Sequence, residues 1–171
     1  PWEYLAFFSY IRKHPATIIG RAIRNPYIYR WVRHLRSIID LEHSDKDMGL
    51  RGILSELRHN HLVAIAIDQW AGNEGLWIDF FTTPTSTTSL PARLAKRTGG
   101  ALIPAYCIRT TSGKYKIYME QEISFNKDDD AYIVEATRQL NRLLEKKILA
   151  FPEQGAWMHD RWKGKKVKNK L

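Results

Sequence analysis

The stretch LVAIAIDQWAGNEGLWIDFFTTPTSTTSLPARLAKRTGGALIP, residues 62–104, decides the fold class of this chain. It opens with a strand-like run of six apolar residues that ends at the acid–amide pair Asp68-Gln69. A polar loop containing glycines follows, and then a helix predicted from Ser89 through Arg97 and a strand over residues 101–108. Open α/β sheets carry functional groups outside the carboxyl ends of their strands, so the pattern places Asp68 at a candidate functional edge.

Helices and strands alternate on both sides of this stretch. Residues 2–13 have helical spacing, and the β-branched run at residues 17–19 predicts a strand. Asn25 and Pro26 predict the start of a helix, with Asn25 as its cap. One face of that helix is apolar and is expected to be packed, and the other carries arginines; the apolar residues are Ile28, Trp31, Val32 and Leu35.

Three more elements complete the pattern. A third helix is predicted to carry Leu50, Ile53, Leu54 and Leu57, and residues 115–119 alternate as a strand does after a turn at Ser112-Gly113. The acidic run at residues 128–130 stands where it would complement the dipole of a long final helix. The alternation favours an α/β sandwich.

Composition places the chain among globular proteins. It has 171 residues, 44% of them hydrophobic and 12% aromatic, enough for a single domain with a real core. No apolar run reaches the roughly 18 residues that would span a bilayer. The single cysteine, Cys107, indicates a buried thiol in a reducing compartment. The beginning Pro1-Trp2-Glu3 has neither an initiator Met nor a signal-peptide pattern, so we expect the sequence to be cut at its N-terminus.

The net charge of +9 predicts an anionic partner. Nucleic acid, an acidic carrier protein, a phosphorylated substrate and an anionic membrane surface all fit this charge. Five arginines crowd one region, Arg21, Arg24, Arg30, Arg33 and Arg36. The basic end of the chain, residues 163–171, is expected to be a solvated tail.

Common catalytic and metal-binding signatures are absent from the sequence. His59 and His61 lack further Cys or His ligands at a metal-like spacing, so we expect no metal site. No Gly-rich phosphate loop or GxSxG elbow occurs. The residues alone therefore predict an α/β domain with an anionic ligand and no more specific function.

Several segments together resemble the bacterial lipid A biosynthesis acyltransferases, the late lauroyl and myristoyl transferases of the lysophospholipid-acyltransferase-like superfamily. The match runs over nearly the whole chain, and its strength lies in the order and spacing of its pieces. Those pieces are Trp2-Glu3, Gly20-Arg21, Asn25-Pro26, Arg36, Asp68-Gln69, Phe80-Phe81, Pro84, Thr87-Thr88, residues 91–95 (PARLA), Thr98-Gly99, Pro104, residues 152–154 (PEQ) and residues 159–163 (HDRWK).

The resemblance implies an enzyme that transfers a fatty acyl group from acyl carrier protein or acyl-CoA to a hydroxyl of a phosphorylated glycolipid. It implies an αβα sandwich with a mixed, largely parallel sheet, as in glycerolipid acyltransferases. The implied location is the cytoplasmic face of the bacterial inner membrane, with an anionic membrane surface as a partner and a membrane anchor in the missing N-terminal part. No cofactor or metal is implied, and the acyl-carrying donor is a substrate. We expect the acyltransferase domain to span residues 1–162.

The family signature is a histidine, four residues and then Asp or Glu, in which the imidazole acts as general base and the carboxylate orients it. Glu3 matches the carboxylate of this signature. None of the six histidines has an acid at that spacing, because the residues at those positions are Ile19, Ile39, Met48, Ala64, Ala66 and Gly164. The matching histidine is therefore expected upstream of Pro1, and the chain alone is expected to be nearly inactive.

The resemblance also suggests substrate-binding residues. Arg21 and Arg36 are candidates for holding phosphates, since a guanidinium binds phosphate in a bidentate manner. Asp68 is expected to orient one of these arginines or a sugar hydroxyl, with a loop cap as its alternative. Arg161 is expected to bind the acceptor or simply to dock the tail. Phe80 and Phe81 could line an acyl slot, although core packing is the more frequent role.

Two other functions stay open at this point. One is a basic nucleic-acid-binding domain, indicated by the charge and by Tyr and Trp interleaved with Arg between Tyr27 and Arg36. The helical spacing of these aromatics indicates a packed face and argues against it. The other is a non-catalytic, membrane-associated relative that kept the fold and lost the base.

Overall fold

The computed structural model describes residues 4, 11–19, 25–37, 41–44, 49–126 and 128–163, without the side chains of residues 36 and 41–44. The chain divides into two compact units, Pro1–Ala66 with Ala105–Met119, and Ile67–Pro104 with Glu120–Leu171. The expectation of one domain over residues 1–162 stays a prediction. In chain order the elements are β1 (Ala16–Ile19), α1 (Pro26–Ser37), β2 (Leu41–Ser44), α2 (Gly49–Arg58), β3 (Leu62–Ile65), β4 (Leu76–Phe80), β5 (Thr83–Thr87), α3 (Leu90–Thr98), β6 (Ala105–Arg109), β7 (Tyr115–Met119), α4 (Tyr132–Ala150) and a 3₁₀ helix (Pro152–Gln154).

The first unit contains a parallel sheet with the strand order β2-β1-β3. Ala16 of β1 pairs with Leu41 on one side and with Leu62 on the other. Parallel strands require a crossover connection, and α1 and α2 provide the two crossovers. The predicted strands at residues 17–19 and from Leu62 are confirmed, although β3 ends at Ile65, two residues earlier than predicted.

Helix α1 begins where the sequence predicts. The side-chain oxygen of Asn25 accepts hydrogen bonds from the backbone N–H of Tyr27 at 2.9 Å and of Ile28 at 3.3 Å. These bonds satisfy two amides that have no partner within the helix. The prediction that the apolar face is packed is wrong, because Ile28, Trp31 and Leu35 are all exposed. Hydrophobic spacing defines such a face but does not fix the direction in which the folded chain turns it.

The second part of the first unit is the antiparallel hairpin of β6 and β7. Tyr106 pairs with Tyr118, and their rings stack at 5.0 Å. Gly113 takes a positive φ of 77° in the connecting turn, as the Ser-Gly step predicts. The predicted strand at residues 101–108 is shorter than expected, since β6 begins at Ala105. Cys107 on β6 is half-buried, and this burial raises the pKa of its thiol.

The second unit contains a hairpin that the sequence pattern did not reveal. The region between Asp68 and Ser89 was expected to be a loop, yet β4 and β5 pair antiparallel within it. Strand β5 was not predicted because its threonines and Pro84 do not give the apolar alternation of a typical half-buried strand. Phe81 and Thr82 form the turn with positive φ values of 49° and 62°.

The core of the second unit lies between α3 and α4. Ala92 and Ala95 of α3 are buried against Ala136 of α4, where small side chains let the helices approach closely. The rest of this cluster consists of Ile123, Tyr132 and Leu140. Gly99 ends α3 with a φ of 74°, and its N–H donates to the carbonyl of Ala95 at 2.9 Å.

The final long helix is confirmed as α4. Asp129, in the acidic run before it, accepts a hydrogen bond from the Ala131 N–H at 2.8 Å, so it organises the entry to the helix. The mixed α/β class is confirmed by one three-stranded parallel sheet and two antiparallel pairs among the described strands. None of the helices that the structure describes is long and apolar enough to cross a bilayer.

Candidate functional site

Of the five site residues predicted from the sequence, two have side chains that the structure describes. Glu3 and Arg21 lie outside the described residues. Arg36 belongs to α1, but its side chain is not among those that the structure describes. Asp68 and Arg161 both belong to the second unit, and the structure brings them together. The chemical roles of all five residues stay predictions.

Arg161 lies inside the second unit, with 3% of its surface exposed. One terminal nitrogen, Nη1, donates to the backbone carbonyl of Gln69. The other, Nη2, donates to Thr87 Oγ1 at 3.1 Å and to Asn141 Oδ1 at 3.3 Å. Its guanidinium carbon also lies 5.1 Å from the centre of the Phe80 ring, a cation–π distance. The arginine thus connects the loop after β3 to β5 and α4.

The surroundings of Arg161 explain how the fold tolerates a buried charge. Removal from water lowers the pKa of the Arg161 guanidinium, and the carboxylate of Asp68 opposes this effect. An arginine guanidinium keeps its charge at physiological pH even when burial lowers its pKa. A buried charge is tolerated when its hydrogen-bond donors find partners, and the two terminal nitrogens make three such contacts, while Nε has none among the described residues.

Asn141 and Thr87 form the floor of this network. Asn141 Nδ2 donates to Thr87 Oγ1 at 3.1 Å and to the Asp79 carbonyl at 3.2 Å. Thr85 donates its hydroxyl proton to the carbonyl of Arg161 itself. Arg161, Gln69, Thr85, Thr87 and Asn141 are thus linked by hydrogen bonds, and we call these five residues the Arg161 network. Hydrogen bonds in a low-dielectric interior favour one arrangement of their members.

Asp68 lies beside the Arg161 network, three residues after the end of β3. Its Oδ1 is buried and makes no hydrogen bond within the described part of the chain. A carboxylate oxygen accepts hydrogen bonds only, so this atom could receive a hydroxyl or guanidinium donor. A carboxylate that caps a loop accepts hydrogen bonds from nearby groups. Asp68 Oδ1 accepts none from the described residues.

The loop that follows Asp68 is fastened to β5. The Ala71 N–H donates to the Ser86 carbonyl at 3.2 Å, and the Ser86 hydroxyl donates to the Gly72 carbonyl. Gly75 permits this close approach, because a Cβ there would lie 2.1 Å from Ser86 Oγ. Residues 71 and 72 of the loop are therefore held against Ser86 of β5.

A small cleft of ≈ 160 Å³ lies at the start of α3. Arg93 closes one side and donates from Nε to Ser89 Oγ at 2.9 Å. Pockets that enclose a small-molecule ligand have volumes of about 300–1,000 Å³, so this cleft cannot enclose a lipid substrate by itself. Its lining consists of Ala71, Glu74, Gly75, Thr88, Ser89, Leu90 and Arg93.

Packing accounts for Phe80, and the role of the Phe81 ring in an acyl slot stays a prediction. Phe80 is buried beneath Arg161, and its ring lies 5.7 Å from that of Trp162. Phe81 occupies the turn of the hairpin, where its N–H donates to Glu145 Oε1 at 2.8 Å. The contact of Phe80 is between side chains in the interior, and the hydrogen bond of Phe81 fixes the backbone of the turn.

A carboxylate–imidazole pair in the first unit was missed from the sequence. His61 Nδ1 lies 2.9 Å from Glu56 Oε2, and the Thr17 hydroxyl donates to the same oxygen at 3.2 Å. The hydrogen bond from His61 is the main cause of a lowered pKa at Glu56, opposed by partial burial and helped by Thr17. The acid precedes the histidine here, the reverse of the family signature, so a search for histidine followed by acid passes over it.

No group of three or more His, Cys, Asp or Glu side chains that could hold a metal ion occurs among the described residues. The expectation that the protein uses no metal stays a prediction, as does the absence of a cofactor.

The sequence profile of one family matches residues 2–164, which is nearly all of the chain. That family is described as bacterial lipid A biosynthesis acyltransferase. The mixed α/β fold agrees with the resemblance seen in the sequence. The chain belongs to the bacterial lipid A biosynthesis acyltransferase family.

Individual relatives carry two kinds of names. The lipid A biosynthesis palmitoleoyltransferase of Escherichia coli (strain K12) is 29% identical over 122 residues, which cover 70% of this chain and 39% of that protein. A phosphatidylinositol mannoside acyltransferase of Mycobacterium tuberculosis (strain CDC 1551 / Oshkosh) is 36% identical over 110 residues, which cover 62% of this chain and 35% of that protein. The matched segments thus span less than half the length of these relatives.

Proposed function

We propose that this protein transfers a fatty acyl group to a hydroxyl of a lipid A precursor or a related phosphorylated glycolipid. The observation that carries the proposal is the family match over residues 2–164. The two kinds of relatives support it, since both names describe acyltransferases and they differ in the lipid named. The donor in this proposal is acyl carrier protein or acyl-CoA, and neither a metal nor a cofactor takes part.

The proposed chemistry is general-base catalysis by a histidine and a glutamate. The imidazole takes the proton from the attacking hydroxyl, while the Glu3 carboxylate holds the ring in its productive tautomer. The hydroxyl oxygen then bonds to the thioester carbonyl carbon, the carbon–sulfur bond breaks, and the thiol leaves with the proton. The histidine is proposed to precede Pro1, because no histidine of this chain is followed by an acid at the family spacing.

Arg21 and Arg36 are proposed to hold phosphate groups of the acceptor or donor, as guanidinium groups do in bidentate contacts. Asp68 is proposed to orient one of them or a sugar hydroxyl, and its buried Oδ1 without a described partner supports an accepting role. For Arg161, the buried hydrogen-bond network supports the docking of the C-terminal segment. Direct contact of Arg161 with the acceptor remains the alternative proposal.

The finer features of fold and location are also proposals. The complete domain is proposed to form the αβα sandwich with a mixed, largely parallel sheet, which the β2-β1-β3 sheet supports as its parallel part. We place the protein at the cytoplasmic face of the bacterial inner membrane, with an anchor upstream of Pro1 and an anionic membrane surface as partner. The net charge of +9 supports this partner.

The test compares this chain with a longer form that includes the preceding histidine. Transfer of a labelled acyl chain from carrier protein or CoA is measured to two acceptors, a phosphorylated lipid A precursor and phosphatidylinositol mannoside. The longer form should be active, and both this chain and Glu3→Ala in the longer form should be slower by at least about 10²-fold. Exposed Asp130, outside the segments of the family resemblance, offers a control, and Asp130→Ala should keep full activity. A fully active Glu3→Ala would remove Glu3 from the mechanism.

Two alternative functions predict different results. Failure of the longer form to transfer acyl groups to either lipid, with folding intact, would favour the non-catalytic membrane-associated relative. Sub-micromolar binding of an oligonucleotide with a steep salt dependence would favour the nucleic-acid-binding domain.

A further inference from the structure

Helix α1 displays an apolar stripe to solvent. Its exposed large apolar side chains are Tyr27 at 78%, Ile28 at 49%, Trp31 at 62% and Leu35 at 43%. Ile28, Trp31 and Leu35 follow one another at intervals of three and four residues, so they lie along one side of the helix. Tyr27 stands one turn before Trp31 and widens the stripe. We call these four residues the α1 apolar stripe.

A continuous stripe of this kind differs from scattered surface hydrophobes. Single exposed apolar residues are common, whereas a contiguous apolar patch with polar edges marks contact with a protein or a membrane. Helix α1 is in contact with β2 in the first unit, and Tyr29 and Val32 are its half-buried residues. The packed side therefore begins at Val32, at the edge of the α1 apolar stripe, while the four residues of the stripe itself are exposed.

Charge indicates which partner fits. Arg30, Arg33 and His34 on the same helix are exposed. Arg33 is held with its guanidinium carbon 5.7 Å from the centre of the Tyr29 ring. The first turn of the helix contains no acidic residue, and the whole chain has a net charge of +9. Arg30 borders the apolar stripe and Arg33 lies on the opposite, polar side of the helix, and arginines on the polar face of such a helix are complementary to anionic lipid headgroups above an acyl layer.

The composition of the stripe separates a membrane from nucleic acid. Single-strand binders stack bases on aromatic rings along a basic groove. Here aliphatic Ile28 and Leu35 stand beside Trp31 and Tyr27, and aliphatic side chains offer no stacking surface. Trp and Tyr are the side chains enriched at the boundary between lipid headgroups and acyl chains.

We propose that α1 lies flat at the surface of an anionic membrane, with the α1 apolar stripe buried among the upper acyl chains and its arginines among the headgroup phosphates. The helix suits this position because it satisfies its own backbone hydrogen bonds, and the Asn25 cap satisfies two amides at its start. The inference rests on the proposed function only for the choice of a membrane as partner. It requires no acyl transfer and is measured without it.

The test is partition of the full chain onto vesicles of phosphatidylcholine, with and without phosphatidylglycerol, followed by co-sedimentation. The double variant Trp31→Gln/Leu35→Gln should lower the partition coefficient by about tenfold or more, since two apolar anchors are lost. The variant Arg30→Gln/Arg33→Gln should lose binding to phosphatidylglycerol vesicles by about fivefold for each arginine, and added salt should erase that difference.

Matched controls lie in the second unit. Trp77 and Leu149 are also exposed, so Trp77→Gln/Leu149→Gln removes the same residue types from another surface and should bind like the parent chain. Circular dichroism confirms that each variant is folded. A second readout places an environment-sensitive dye at Leu35→Cys in a Cys107→Ser background. Its emission should shift to the blue on vesicles, and the same dye at Leu149→Cys should not shift.

Three results would overturn the inference. The first is equal binding by the stripe variant and the control variant. The second is tight binding of a single-stranded oligonucleotide without partition onto vesicles. The third is self-association that the stripe variant abolishes, again without vesicle binding. Acyl transfer by the longer form could succeed under all three results, so failure here is distinguishable from failure of the proposed function.

Discussion

The Arg161 network and helix α1 are opposite exceptions to the sorting of polar residues outside and apolar residues inside. Arg161 carries a charge with 3% of its surface exposed, while Trp31 shows most of its indole to solvent. Burying a charge without partners costs far more than leaving an apolar side chain in water. The first exception therefore needs partners within the fold itself, and the second can wait for an outside partner. A buried charge is informative about architecture, and an exposed apolar face is informative about recognition.

The strongest test of this contrast is Arg161→Met. The substitution removes the donors to the Gln69 carbonyl and Asn141 Oδ1, one of the two donors to Thr87 Oγ1, and the charge near Asp68. We expect the free energy of unfolding to fall by about 3 kcal/mol in urea titrations. Arg161→Lys keeps the charge without the planar fork, so its loss should be intermediate.

Arg97, exposed on α3, supplies the control for this experiment. Arg97→Met should change the free energy of unfolding by less than about 0.5 kcal/mol, as most surface substitutions do. A loss for Arg161→Met no greater than that of Arg97→Met would contradict the structural role of the network. Arg161 would then no longer count as a buried charge that the fold requires.

A smaller effect is expected at the start of α1. Asn25→Ala removes the oxygen that accepts from the Tyr27 and Ile28 amides, at a cost of about 1 kcal/mol. Hydrogen exchange of those two amides should become faster, while Asn25→Asp should keep their protection because it keeps the acceptor. Unchanged exchange in Asn25→Ala would mean that the cap does not hold the helix that presents the α1 apolar stripe.

An intermediate case between the two regions is Glu56, which is partly exposed and pairs with His61 and Thr17. Its pKa is lowered in the folded protein, mainly by the hydrogen bond from His61. The contribution to stability is therefore present above the unfolded pKa of Glu and is lost as the pH falls through the lower folded value. Glu56→Gln should remove that part of the acid-side loss, which we expect to be below about 1 kcal/mol for a pair still in contact with water.

The measurement is the free energy of unfolding at several acidic pH values, for the parent chain and Glu56→Gln. Glu153→Gln, at an exposed acid, serves as control and should follow the parent profile. Identical acid profiles for parent and Glu56→Gln would show that the contact with His61 has no energetic weight.

Local signals in the sequence predicted the elements that depend on local chemistry. Asn25 and Pro26 give the start of α1 because a cap acts on amides two and three residues away. The acidic run before α4 is a similar case, since Asp129 accepts a hydrogen bond from an amide two residues away. The hairpin of β4 and β5 escaped, since its threonines and Pro84 lack apolar alternation and the Phe81-Thr82 turn lacks the Asn-Gly step that such turns favour.

The site was harder to predict because its contacts join distant parts of the chain. Arg161 meets Gln69 across 92 positions, Thr87 across 74 and Asn141 across 20. The sequence pointed to Asp68 and Arg161 separately, through a strand end and a family resemblance, but gave no sign that one would lie beside the other. The roles of Glu3, Arg21 and Arg36 stay predictions, and the burial of Arg161 could not be inferred from its neighbours in sequence.

The smallest expected effect, that of Trp31→Gln, also tests whether the apolar face of α1 differs from a packed core as the contrast with the Arg161 network requires. Trp31→Gln removes a large aromatic ring, a change that costs about 3–5 kcal/mol when the ring is packed in a core. Because Trp31 is exposed on α1, we expect its loss to change the free energy of unfolding in vesicle-free solution by less than about 0.5 kcal/mol. Phe80→Leu, a milder change at a buried ring, should cost more than that. If urea titration instead shows a core-sized loss for Trp31→Gln, the apolar face of α1 is packed in solution, as its helical spacing alone predicts. The second half of the contrast would then fail together with the membrane contact inferred from it.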